Sequence, residues 1–198
     1  MNTRFLLAAC ICASVAASST AAAKMKDMRS MRGAGGAASS ADRAFLRKAA
    51  QGGMTEVTLG KLAAERGSSQ VKEFGQRMVR DHSKANADLK SVASKLSIRL
   101  PSDLGPEGST MKAKLSRLHG AAFDSAYVKG MVGDHRADVA EFSKAAGKAR
   151  NPDVKAFASR TLPVIQDHLK MIEGLEGSRS RMGHGKGMMK GKMKGMKM

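Results

Sequence analysis

Between residues 40 and 176 the apolar positions recur in alternating steps of three and four, the spacing that lays one stripe along a helix. The first stripe reads Phe45, Ala49, Gly52, Glu56, Leu59, Ala63. The second reads Val71, Gly75, Met78, His82, Ala85, Leu89, Val92, Leu96. A third reads Asp124, Val128, Met131, His135, Val139, Phe142, and a fourth Val154, Ala158, Thr161, Ile165, His168, Ile172, Leu175. Ser40 or Asp42 can cap the first helix and Ser68 the second, with Gly67 breaking the chain between them, so the pair forms an antiparallel hairpin. Gly147, Asn151 and Pro152 make the second hairpin turn, Asn151 capping a helix whose first residue is Pro152. Pro163 falls inside the fourth stripe and is expected to kink that helix. Two prolines and two glycines between Ser97 and Thr110 read as a long crossover, followed by a short helix from Met111 to Leu118. The predicted fold is all-α: a four-helix bundle of two antiparallel hairpins joined by a long crossover with a short extra helix, spanning residues 41–176.

Three stripes carry a histidine, and each closes a related pentapeptide: Met78-Val-Arg-Asp-His82, Met131-Val-Gly-Asp-His135 and Val164-Ile-Gln-Asp-His168. The first stripe carries Glu56 in the equivalent place. At a rise of about 1.5 Å per residue, Glu56 lies about 15 Å and His82 about 20 Å from the first turn, while His135 and His168 lie about 21 and 24 Å from the second. The four side chains can therefore share one layer of the bundle. Two readings stand side by side. In one, Glu56, His82, His135 and His168 form a buried hydrogen-bonded network that fixes helix register, with Tyr127 or Asp124 as further partners. In the other they bind one transition-metal ion, a donor set that suits zinc, iron, manganese or copper. Asp81, Asp134 and Asp167 sit about 100° round the helix from their histidines, which suits them, with Asp124, to steady a histidine of a neighbouring helix. No Ser/His/Asp or Cys/His arrangement and no glycine-rich phosphate loop is present, so no catalytic residue is assigned.

The ends change the picture. Residues 1–23 read as an export signal: Arg4 precedes an apolar run from Phe5 to Ala17, and Ala21-Ala22-Ala23 makes a small-residue cleavage site. A periplasmic or secreted protein is expected. Leu7-Ala8-Ala9-Cys10 also has the form of a lipoprotein signal, the alternative. Both cysteines, Cys10 and Cys12, lie inside this segment, so any metal in the mature chain must use His, Asp, Glu or Met. The formal net charge is +18. Counting the sequence, residues 34–178 carry +7 and the two tails +10. Residues 24–40 form a basic, glycine-rich linker and 177–198 a Met/Lys/Gly tail, both expected to be disordered. Interleaved lysines suit an anionic partner, a lipid or envelope polymer, whereas thioethers and His184 suggest copper(I). A specific nucleic-acid role is disfavoured because aromatic content is 4% and no reader motif occurs.

Four runs carry a resemblance: Gly53-Met-Thr-Glu-Val-Thr-Leu-Gly-Lys-Leu-Ala63, the Met-Val-Arg-Asp-His run, Phe123-Asp-Ser-Ala-Tyr127 with His135, and Thr161-Leu-Pro163 with His168. Over residues 40 to 176 the chain resembles an uncharacterised family of exported bacterial proteins, labelled membrane or outer-membrane proteins, in the ferritin-like superfamily. The resemblance implies a ferritin-like four-helix fold. Ferritin-like di-iron centres use Glu-x-x-His on two helices, but Val79, Val132 and Ile165 stand three residues before the histidines here. The functional expectation is an exported, non-enzymatic bundle that binds metal or serves under stress. The alternative is a metal-dependent redox enzyme using the same layer.

Overall fold

A computed structural model of the chain describes residues 36–194, with side chains as far as Ser178. The signal segment with Cys10 and Cys12, residues 24–35 of the linker, and the tail side chains including His184 lie outside the described residues. Within that span the protein is all-helical: α1 (Ser40–Arg66), α2 (Ser69–Lys95), α3 (Gly105–Ser116), α4 (Gly120–Lys148) and α5 (Pro152–Lys194), with no strand among the described residues.

Local chemistry sets the boundaries. Ser39, rather than Ser40 or Asp42, caps α1, because its extended backbone lets its Oγ accept from the Asp42 amide at 3.1 Å. Asp42 Oδ2 accepts the Ser39 amide in return at 3.0 Å, completing a reciprocal capping box. The same carboxylate receives the amides of Arg150 and Asn151, at 3.3 and 3.2 Å, and so ties the start of α1 to the α4–α5 turn. Asn151 Oδ1 in turn accepts from the amides of Asp153 and Val154, at 3.0 and 3.2 Å, capping α5. Gly67 ends α1, Ser68 stands at the cap position of α2, and the two helices pack as a hairpin. Their approach is close. A Cβ at Gly75 would lie 2.7 Å from both Ala63 Cβ and the Gly60 carbonyl, which only glycine avoids.

The crossover is shorter than expected because α3 begins at Gly105, before Met111. Pro106 falls in its first turn, where a missing N–H costs nothing, and Gly105 turns the chain in with φ +69°. Gln51 Nε2 donates to Asp103 at 3.1 Å and Thr55 to the Leu104 carbonyl at 3.4 Å, fastening the crossover to α1. Pro163 lies inside α5. The backbone of α5 stays helical to Lys194, beyond residue 177 where the sequence suggests disorder. Its Met, Lys and Arg residues are good helix formers, and they oppose the glycines there.

The apolar core falls into two clusters. One holds Phe45, Leu46, Leu89, Phe142, Phe157 and Ile165; the other holds Leu59, Phe74, Met78, Phe123, Met131 and Ile172. Each such side chain, fully buried, contributes about 1.5–3 kcal/mol. Along α1, α2, α4 and α5 the polar residues Glu56, His82, His135 and His168 fall between the two clusters.

Candidate metal centre

An imidazole placed where the helix stripe demands an apolar side chain loses its water, and burial here is nearly total. His135 and His168 are fully buried, and His82 and Glu56 are exposed by only 5% and 4%. Four helices bring them together. Glu56 Oε2 lies 2.8 Å from His82 Nδ1, and His82 Nε2 lies 3.2 Å from His168 Nδ1. His168 Nε2 meets Asp81 Oδ2 at 2.8 Å, and His135 Nδ1 meets its own helix at the Met131 carbonyl, 3.0 Å away.

These distances assign most of the protons. A carbonyl only accepts, so His135 Nδ1 donates and Nε2 carries a lone pair. Asp81 is held below the usual carboxylate range: burial pulls it up, but hydrogen bonding and charge from His168 and Arg77 outweigh that. The ionised Asp81 accepts from His168 Nε2, and His168 Nδ1 is left with a lone pair. With Glu56 ionised, His82 Nδ1 donates outward and all three histidines turn a bare nitrogen toward one another. With Glu56 protonated, Glu56 donates to His82 and His82 Nε2 donates to His168. Each arrangement leaves His135 Nε2 without a hydrogen-bond partner, with Glu56 Oε1 3.6 Å from it.

Electrostatics favour neutral groups while no cation is present. Burial lowers both His82 and His135 to about 4, and lowers His168 as well. Burial raises Glu56 to about 7, against the pull of His135 and Asp138. One nitrogen from each of His82, His135 and His168 lies within 4.8 Å of the others. Tetrahedral binding at a metal–nitrogen distance of about 2.0–2.1 Å sets nitrogens about 3.3 Å apart, close to the His82–His168 separation. His135 has to move inward to complete the set. Phe74 packs its ring 6.3 and 6.2 Å from those of His135 and His168 and limits their tilt.

The remaining expected residues divide. Asp81 on α2 holds His168 on α5. Asp167 is exposed and Asp134 half-buried, neither with a hydrogen bond to a histidine of the layer. Asp124 does not join the layer: its Oδ1 accepts the Ser68 amide at 3.1 Å, and it lies three turns of α4, about 16 Å, from His135. Tyr127 Oη is buried without a hydrogen-bond partner, and burial together with the Glu56 charge pushes the phenol up. Glu56 itself stands on the outer nitrogen of His82 instead of closing the ligand set as a fourth donor.

Asp138 is the residue that sequence reasoning missed. Burial, then the charge and hydrogen bond of Glu56, raise it to about 8, so the two carboxyls are neighbours that do not ionise together. Its signal was present three residues after His135, on the same helix face. Glu56, His82, Asp138 and Asn86 also line a cavity of about 20 Å³, room for one water. Gly53 keeps this wall open, since a Cβ there would collide with the Asn86 amide.

No curated protein matches the chain. Among solved structures it is similar to a DUF305 fragment from Deinococcus radiodurans, with a TM-score of 0.63 and 17% identity over 71% of this chain and 98% of that one. At that identity the likeness speaks for the fold alone. The match that identifies the chain runs over residues 16–175, and by it the protein belongs to the family described as a domain of unknown function, DUF4142.

Proposed function

We propose that this protein is an exported, non-enzymatic bundle of ferritin-like type that holds one transition-metal ion on His82, His135 and His168. One observation carries the reading. Each histidine can turn one nitrogen to a common point while its other nitrogen meets an acceptor: Glu56 for His82, Asp81 for His168 and the Met131 carbonyl for His135. Metal-bound histidines characteristically donate their second N–H to a carboxylate or carbonyl, which fixes the tautomer and strengthens the ligand. A structural network alone would not leave His135 Nε2 buried and unpaired, at a cost of about 1–3 kcal/mol. Three neutral imidazoles suit zinc, copper or iron better than calcium or magnesium, which prefer oxygen.

Elemental analysis of protein purified from its own envelope fraction tests this. The expected result is about one transition-metal ion per chain. Protein isolated without metal that also takes up none of zinc, iron, manganese or copper would sink the proposal. The basic tails complete it by adhering to an anionic surface, through charge that salt screens.

A redox reading draws on one feature, the buried and unpartnered Tyr127 hydroxyl within the field of Glu56. It requires a tyrosyl radical signal on oxidation of metal-loaded protein that Tyr127→Phe abolishes.

A further inference from the structure

An ion bound by three buried imidazoles must cross the wall of the bundle, and one side of that wall is built differently from the rest. We propose that the cation is admitted through the groove between α2 and α5, with Asp81 as the carboxylate that captures it at the mouth, from where it passes the His168 ring to the inward-facing nitrogens; this rests on the metal-binding reading above. Asp81 is a point where the layer meets solvent. Its side chain is 31% exposed, whereas that of the His168 it touches is 0% exposed. Outside Asp81 lies an open groove of about 600 Å³. Three acids, Asp81, Asp88 and Asp167, face three bases there, Arg77, Lys84 and Arg160. On a domain that is otherwise net positive, this neutral patch opposes an approaching dication less than its surroundings do.

The wall is also weak at this place. The α2–α5 contact, like the α1–α4 contact on the other side, is less extensive than either hairpin, and it alone carries a proline. Pro163 offers no N–H to the Ser159 carbonyl, so the α5 ladder lacks a bond one turn before His168. Beside it, Val164 is the one large apolar side chain exposed among the described residues. The Arg77–Asp81 contact, Nε to Oδ2 at 3.3 Å, competes with an arriving cation for the same oxygen. Arg77 is therefore a latch on Asp81. Removing the latch and removing the carboxylate should act in opposite directions, which a merely structural role for the pair does not explain.

The experiment measures cobalt(II) uptake by the chelator-stripped full chain in stopped flow, with release measured separately by competition with excess chelator. Asp81→Asn should slow association on the order of tenfold or more, and Arg77→Gln should speed it. Glu173→Gln makes the same charge change as Asp81→Asn, on a partly exposed acid of α5 paired with Arg136 outside the groove, and should leave association as in the wild type. Asp138→Asn reports the competing way in, from the α1–α4 side. Equal association rates for wild type and Asp81→Asn, or slowing by Asp138→Asn in place of Asp81→Asn, overturn the route while leaving the centre standing. A wild type that takes up no cobalt overturns the centre and the route with it.

Discussion

Raising the pH of the metal-free protein from 6.5 to 8.5 should destabilise it, and Glu56→Gln should diminish that dependence by removing its own share and the Glu56 charge that helps to raise Asp138. In the folded state burial holds Glu56 at about 7 and Asp138 at about 8, against ordinary values of 4.5 and 3.8. An acid whose folded value is raised is most comfortable protonated. Stability falls as pH climbs from the unfolded value toward the folded one, where only the folded state holds the proton, and levels off above the folded value. Integrating over this window, Asp138 forfeits about 2 kcal/mol and Glu56 about 1 kcal/mol. The buried histidines act oppositely. His82 and His135 sit at about 4 when folded, so only the unfolded chain sheds histidine protons above 6.5, and folding regains about 1 kcal/mol. The net loss is on the order of 2 kcal/mol, a fall of about 1 M in the urea midpoint. Between pH 6.5 and 4.5 the unfolded histidines take up protons that the folded ones refuse, which offsets the gain from the two acids, so stability should change little there. The assay is urea unfolding followed by circular dichroism, with chelator present, at pH 5.5, 6.5 and 8.5. A wild type that gains stability between 6.5 and 8.5, or a Glu56→Gln variant with an undiminished slope, refutes the reasoning.

Three further outcomes follow from the packing. Asp42→Asn should cost about 2–4 kcal/mol in chemical denaturation, because one ionised carboxylate serves the amides of Ser39, Arg150 and Asn151. Those bonds hold Asp42 below its ordinary 3.8 despite burial, so its contribution is complete above about pH 4, and the gap to the variant should shrink as pH falls through the folded value. Gly75→Ala should destabilise by about 1–3 kcal/mol through collision with α1, while Gly133→Ala, open on all sides, should stabilise by about 0.5–1 kcal/mol; equal effects would contradict the close approach. Deleting residues 179–198 removes seven Lys/Arg and no acid, and should weaken adhesion to anionic vesicles in a salt-sensitive way with the melting temperature unchanged. A large fall in melting temperature would make the tail part of the fold.

Helices and ligand candidates were legible for the same reason. A stripe at three- and four-residue spacing names the buried face, and a histidine on that face has to find a partner, which is why Glu56, His82, His135 and His168 could be named together. Contacts across helices were not legible. Asp81 and Asp167 occupy identical places in the pentapeptide, yet one holds a histidine and the other faces solvent, because rotation about each helix axis decides it. Asp124 lies on the right stripe but three turns away, where the amide at the start of α2 claims it. Asp138 was overlooked because a carboxylate was sought three residues before each histidine, and the helix places one three residues after equally well. The early start of α3 was hidden by Pro106, read as a helix breaker when its first-turn position makes it a helix starter.

The central claim is that the layer holds an ion and is not only a hydrogen-bonded network. The direct measurement is thermal melting and metal content of the isolated protein, before and after chelator, alongside His135→Ala. The account predicts that chelator removes about one ion per chain and lowers the melting temperature, and that His135→Ala reproduces both losses and becomes insensitive to chelator, since an ion bound only by the folded state stabilises it. It is contradicted by protein that melts at the same temperature with and without chelator, gains nothing from added zinc, copper, iron or manganese, and still loses about 1–3 kcal/mol on His135→Ala through the contacts left unmade.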